Sequence, residues 1–187
     1  TSNHIKALKN TLNYYKVLSP HYEYLSSIIG RDIDDVPTNL ISIPSIFYGS
    51  SIKKGSVDLR FYVSGSLIAQ VKDEKRNGEL IQTGPLESAH SGSVAGVVLY
   101  NEGFLLLTSS TTLLSSHTET YAPLGSVNPT WLNFGTTGSN TVSSSFGIDF
   151  EGTNYVPTVT MLAHAPQAAL NFSNNPTFLK YTSVSGT

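Results

Sequence analysis

The sequence predicts a mainly β protein, a β-sandwich or jelly-roll-like antiparallel domain preceded by a short helical arm. Three observations predict it. The apolar spacing switches near residue 39 from a helical rhythm of threes and fours to alternation in twos. Short apolar runs then recur between turns rich in Gly, Asn and Pro, the mark of a many-stranded antiparallel fold. The composition is that of a folded but weakly charged chain: 39% of the 187 residues are hydrophobic and 13% charged, against about 25% charged in an average soluble protein. Such a chain is long enough to bury a core without a disulfide or a metal.

The helical arm comes first. Ile5, Leu8, Leu12 and Tyr15 lie at helical spacing over residues 3–18, with Lys6, Lys9, Asn10, Asn13 and Lys16 between them. That is one apolar stripe on an amphipathic helix. Ser19-Pro20 supplies an N-cap and a first-turn proline for a second short helix, with Tyr22, Leu25 and Ile29 as its stripe and Gly30 as its stop. Residues 31–37, acidic and ending in Pro37, read as a linker. The expected organisation is an arm and linker over 1–36 and a β-rich domain over 37–187, cut short at its C-terminal end. A stripe this apolar must be covered, either by its own β-domain or by a neighbouring subunit, and the acidic linker tips the expectation towards the neighbour.

The strands follow. Val57–Ser64 alternates apolar and polar residues, so one face is wet, and Leu67–Val71 continues beyond a bend at Gly65. Asn77-Gly78 suits a type I′ turn leading to a partner strand at Leu80–Gln82. Val94–Tyr100 and Phe104–Thr108 form a hairpin around Asn101-Glu102-Gly103; both strands are continuously apolar, which predicts burial on both faces. Residues 109–145 read as long loops holding one strand anchored by the only tryptophan, Trp131. A third hairpin is expected from Phe146–Phe150, through Glu151–Asn154, to Tyr155–Ala165, with Pro157 placing the second arm at a sheet edge. Leu170–Ser173 would be a last short strand.

Chemistry-bearing residues are sparse. The absence of Cys removes thiolate nucleophiles, disulfides and zinc or iron–sulfur clusters held by sulfur. His4, His21, His90, His117 and His164 are dispersed, and His117-Thr118-Glu119 is the nearest approach to a metal pair. Asp32, Asp34 and Asp35 cluster, but lack the glycine and later glutamate of a calcium loop. Asp149 and Glu151 are two residues apart, a spacing that a glycosidase pair could use. None of these patterns is complete, so no catalytic, cofactor or metal residue is assigned. The expectation is a non-enzymatic chain without cofactors. A net charge of −2 argues against nucleic-acid binding through bulk positive field, and no run approaches the length of a membrane-spanning helix. Tyr14, Tyr15, Tyr22 and Tyr24 concentrate aromatic surface on the arm, as protein interfaces do.

Several longer strings add a resemblance. Residues 43–55 (Ile43-Pro44-Ser45-Ile46-Phe47-Tyr48-Gly49 through Gly55), 76–82, 95–103, 145–155 and 171–176 resemble a group of virion structural proteins of contractile-tailed marine phages, of the cyanophage kind. The likeness spans roughly residues 8–180. It implies a virion component, assembled in the host cytoplasm, whose partners are copies of itself and other virion proteins; it transfers no catalytic residue. Two other classes compete. A receptor- or glycan-binding module of a tail fibre would use Trp131, Tyr121 or Tyr155 as stacking platforms, and a cell-wall hydrolase would need a nucleophile or a carboxylate pair.

Overall fold

A computed structural model describes residues 7–25, 27, 32–33, 35–84, 90–121, 125–139 and 144–162. Its elements are α1 (Lys9–Tyr14), β1 (Asn39–Ser42), β2 (Ser51–Ile52), β3 (Asp58–Val63), β4 (Ser66–Lys72), β5 (Glu79–Gly84), β6 (Val94–Leu99), β7 (Phe104–Leu107), β8 (Glu119–Tyr121), β9 (Gly125–Val127), β10 (Ser144–Asp149) and β11 (Gly152–Thr153). Short 3-10 turns at Tyr15–Val17, Pro20–Tyr22, Ser45–Phe47 and Trp131–Asn133 join them. The protein is mainly β, with a sandwich-like antiparallel domain behind a short helix.

Five strands form a meander, each pairing with the next from β3 to β7; β1 adds beside β7 and β10 beside β3, giving one seven-stranded antiparallel sheet. Register shifts at Phe61/Tyr62, Gln70/Val71 and Leu80/Ile81 interrupt three of its ladders. Each bulge adds local twist, and the sheet curls. The Trp131–Phe134 turn closes the curl, because it reaches both outer strands. Phe134 stacks 5.0 Å from Phe146 on β10, and the Asn39 side chain on β1 donates to the Phe134 carbonyl at 2.7 Å.

Alternation on β3 follows its sequence: Leu59, Phe61 and Val63 are buried while Asp58, Arg60 and Tyr62 are half-exposed. The inner face gathers these with Val71, Leu80, Val98, Leu105, Leu107 and Trp131 into the main core. The outer face of β6 and β7 presents Val97, Leu99 and Leu106. Both faces of this hairpin are buried, as its unbroken apolar sequence demands.

That outer face explains the largest correction to the sequence reading. The apolar stripe of the N-terminal segment is covered within the chain: Leu12, Tyr15, Tyr22, Tyr24 and Ile33 are buried against Val97, Leu99 and Leu106 in a second core. A two-sided apolar hairpin needs a cover, and the nearest amphipathic stripe in the chain supplies it. Residue 36 is therefore not where the chain divides. Thr1–Tyr155 form one compact unit, and Val156–Thr187 form another, of which residues 156–162 carry neither helix nor strand.

Smaller differences have local causes. The first helix is one and a half turns of α-helix followed by a 3-10 turn, and Ile5 lies outside the described residues. The expected Ser19 cap is present, its hydroxyl accepting from the His21 N–H at 3.0 Å, but it starts a single 3-10 turn, and Ile29 and Gly30 lie outside the described residues. Ser64 and Gly65, both at positive φ, reverse the chain between β3 and β4. Asn77-Gly78 is not a two-residue I′ turn: positive φ falls on Arg76 and Gly78, within a longer loop from Asp73 to Gly78. Trp131 sits in a 3-10 turn capped by Thr130 and Asn133, not in a strand. The third hairpin does not form. β10 pairs with β3, β11 crosses to β2, and residues 155–162 are not strand; Leu170–Ser173 lies outside the described residues.

Candidate functional site

Two buried carboxylates organise the contact between the helical segment and the sheet. Asp73, wholly buried, accepts from the Gly55 N–H at 2.8 Å, the Gly78 N–H at 3.1 Å and the Tyr100 hydroxyl at 2.5 Å. A buried carboxylate must replace its lost hydration, and three donors do so here. The Tyr100 hydroxyl stays protonated, because burial and the hydrogen bond to Asp73 both push its pKa far above the ordinary tyrosine value. Tyr22 lies over the same loop and donates to the Val98 carbonyl. Gly78 is required there: a β-carbon would land on the Tyr22 hydroxyl and 3.1 Å from the Val98 oxygen.

Glu79, also buried, ties the segment down. It accepts from the Ser19 hydroxyl at 2.5 Å and from Lys75 at 2.8 Å, with His21 Nε2 4.0 Å away. Burial alone would raise its pKa; hydrogen bonds from Lys75, Ser19 and Asn77 outweigh that and hold the carboxyl below 4.5. A depressed folded pKa contributes stability that is full above the unfolded value and lost as pH falls through the folded one. The gap in melting temperature between the wild type and Glu79→Gln is therefore expected to be widest above about pH 5 and to close on acidification. A gap constant down to acid pH would show that Glu79 is not held this way.

A third cluster lies beneath the β8–β9 hairpin. Glu119 is buried; its Oε2 is 3.1 Å from His117 Nε2 and 3.4 Å from the Ser144 hydroxyl, and Gly138 presses on its carboxyl so closely that a β-carbon would not fit. The spacing that singled out His117 and Glu119 thus marks a real pair. The His117 imidazole and the Ser144 hydroxyl thus meet at one oxygen of the same buried carboxylate. Among the described residues, no three His, Asp, Glu or Cys side chains gather as metal ligands.

The other candidates are scattered. Asp149 pairs with Arg60, and Glu151 pairs with Lys53 at 2.5 Å, so each carboxylate has its own cation. In the acidic stretch the Asp32 carbonyl accepts from the Asp35 and Val36 N–H groups, while Asp34 lies outside the described residues, as do His4 and His164. Trp131 and Tyr121 are buried in the interior and cannot act as stacking platforms; Tyr155 is exposed. Trp131 instead donates to Gln82 Oε1 at 3.2 Å.

A half-open cavity of about 140 Å³ lies beside β6, lined by His21, Tyr24, Val36, Val94, Val97 and Thr108 with Gly96. Ligand pockets run to about 300–1,000 Å³, and a water occupies about 30 Å³. This one is smaller than that range.

The more distinctive surface is apolar. Tyr14 and Val17 on the helical segment are 80% and 90% exposed, and Ile46 and Phe47 are 86% and 68% exposed. Each pair lies beside a tyrosine that touches the Tyr100–Gly103 turn. On one side Tyr15, next to Tyr14, bonds to Asn101 and Glu102; on the other Tyr48, next to Phe47, packs against Gly103. The Tyr15 hydroxyl is pushed up to about 12 by burial and by the Glu102 charge, so it remains a donor. Sequence reasoning missed Asp73, Glu79 and Ile46-Phe47. No protein-family model, curated protein or solved structure matches the chain.

Proposed function

We propose that this chain is a non-enzymatic structural component of a phage particle that works by protein–protein assembly, in the tail, baseplate, neck or shell. The observation that carries the reading is the set of large apolar side chains left in water on segments whose tyrosines touch the Tyr100–Gly103 turn: Tyr14, Val17, Ile46 and Phe47. Single exposed apolar residues are ordinary; several on segments that meet at one turn mark a surface that a protein partner covers. They are well placed for that role, since Tyr15, Tyr48 and the turn behind them are fixed by hydrogen bonds and packing.

The phage resemblance supplies the kind of assembly. Its strings at 43–55, 95–103 and 145–155 converge in the fold, where Gly103 and Gly152 both lie against Tyr48 too closely for a β-carbon. Residues with that role maintain a scaffold, which is what the likeness implies. The partners are copies of the chain and other virion proteins, and the location is the virion. Mass spectrometry of purified particles tests the reading: the chain is expected in many copies per particle, and its absence would overturn the proposal.

A further inference from the structure

The two edges of the seven-stranded sheet differ. β1 is four residues long, is bracketed by Pro37 and Pro44, and lies against the Trp131–Phe134 turn through the Asn39 side chain. Short length, proline and a covering loop are the usual protections of an edge. β10 has neither the short length nor the prolines, and the same turn meets it only through the Phe134 ring on the face of Phe146. Its six residues, Ser144–Asp149, contain no Pro and no Lys, pair with β3 in unbroken register, and have no strand beside them on the other side among the described residues. Ser145, Ile148 and Asp149 are exposed along it.

We propose that the free edge of β10 pairs with the β10 edge of a second copy of this chain, antiparallel about a two-fold axis through Gly147. This refines the assembly reading above by naming one contact. A self-pairing through β1 is opposed by its length and flanking prolines, so among the described strands the contact that continues the seven-stranded sheet joins two β10 edges, which closes as a dimer rather than growing as a fibre. A two-fold axis perpendicular to the sheet must map each face onto itself, so opposed residues share a face and the centre falls on a residue. Centred on Gly147, Phe146 stands opposite Ile148 of the other copy, an aromatic–β-branched pair of the favourable kind. Ser145 stands opposite Asp149, a hydroxyl against a carboxylate, and no two like charges meet. Gly147 meets itself and leaves room at the centre. Six residues of edge cover far less than the roughly 800 Å² per partner of a standard interface. The dimer is expected to be weak and to build with concentration.

Sedimentation velocity on the purified chain tests this between about 5 µM and about 500 µM, bracketing the micromolar range of small interfaces. The apparent mass is expected to rise from 20.1 kDa towards about twice that. Ser145→Asp sets two like-charge pairs across the axis and is expected to weaken association at least tenfold, whereas Ser145→Lys faces Asp149 and should preserve or tighten it in low salt. Ser145 is exposed, so neither change should move the melting temperature, which serves as the folding control. A chain that stays monomeric throughout overturns the proposal, and so does a dimer that answers both substitutions alike. A monomer that is nevertheless abundant in particles rejects only this contact; a dimer absent from particles rejects only the particle role.

Discussion

Gly78→Val is expected to cost about 2–6 kcal/mol, a large share of typical stabilities of about 5–15 kcal/mol and a fall of many degrees in melting temperature. Two effects add. Gly78 sits at φ +87°, where a β-branched side chain is strained, and its β-carbon would occupy the place of the Tyr22 hydroxyl. Relief by movement would break the Tyr22 bond to the Val98 carbonyl and displace the Gly78 N–H from Asp73. Gly65 separates the two effects. It has a similar φ of +77° but nothing within 4 Å of a β-carbon, so Gly65→Ala reports the backbone strain alone. Thermal melts should show Gly78→Ala well below Gly65→Ala. Equal melting temperatures would mean that Tyr22 is not packed over this glycine.

The second large effect is expected at the other end of the same contact. Deleting residues 1–24 strips Leu12, Tyr15, Tyr22 and Tyr24 from Val97, Leu99 and Leu106 and leaves the outer face of the central hairpin in water. The truncated chain should aggregate or fail to fold. The point variant Leu12→Ala should lose about 2–5 kcal/mol, because Leu12 is wholly buried in that layer. A truncated chain that stayed soluble, with an unchanged melting temperature, would show that the segment is a detachable arm.

The contrast between these expectations and a free arm shows where sequence patterns stop. The stripe of Leu8, Leu12 and Tyr15 announces that something must cover it, and the unbroken apolar run of β6 and β7 announces a second surface in need of cover. Periodicity says nothing about which surfaces meet. The same limit misplaced β10. Glu151-Gly152-Thr153-Asn154 reads as a hairpin turn, yet Gly152 and Thr153 extend as β11 beside β2, and β10 joins β3 some eighty residues earlier. Local pairings were legible: alternation on β3, the hairpin of β6 and β7, and the Ser19 cap all follow from neighbouring residues.

The same divide separates the legible and illegible parts of the polar clusters. His117 and Glu119 are two residues apart, so their contact could be read directly; Ser144 and Gly138 reach Glu119 only through the fold. Asp73 is one charge in the run Lys72-Asp73-Glu74-Lys75-Arg76, with nothing in the sequence to single it out. Its role is created by backbone N–H groups of Gly55 and Gly78 and by Tyr100, none of which carries a sequence signature. Ile46-Phe47 could not be told from core, since apolar residues in a strand-rich region are usually inside.

Assembly through the surface around the Tyr100–Gly103 turn is tested most directly by hydroxyl-radical footprinting of the chain free in solution and within purified particles. In the free chain Tyr14, Ile46 and Phe47 should label strongly, as their exposure requires, and buried Trp131 weakly. In particles, labelling of Tyr14, Ile46 and Phe47 should fall several-fold while Trp131 stays unchanged. Labelling of those three side chains that is the same in both states would contradict the account.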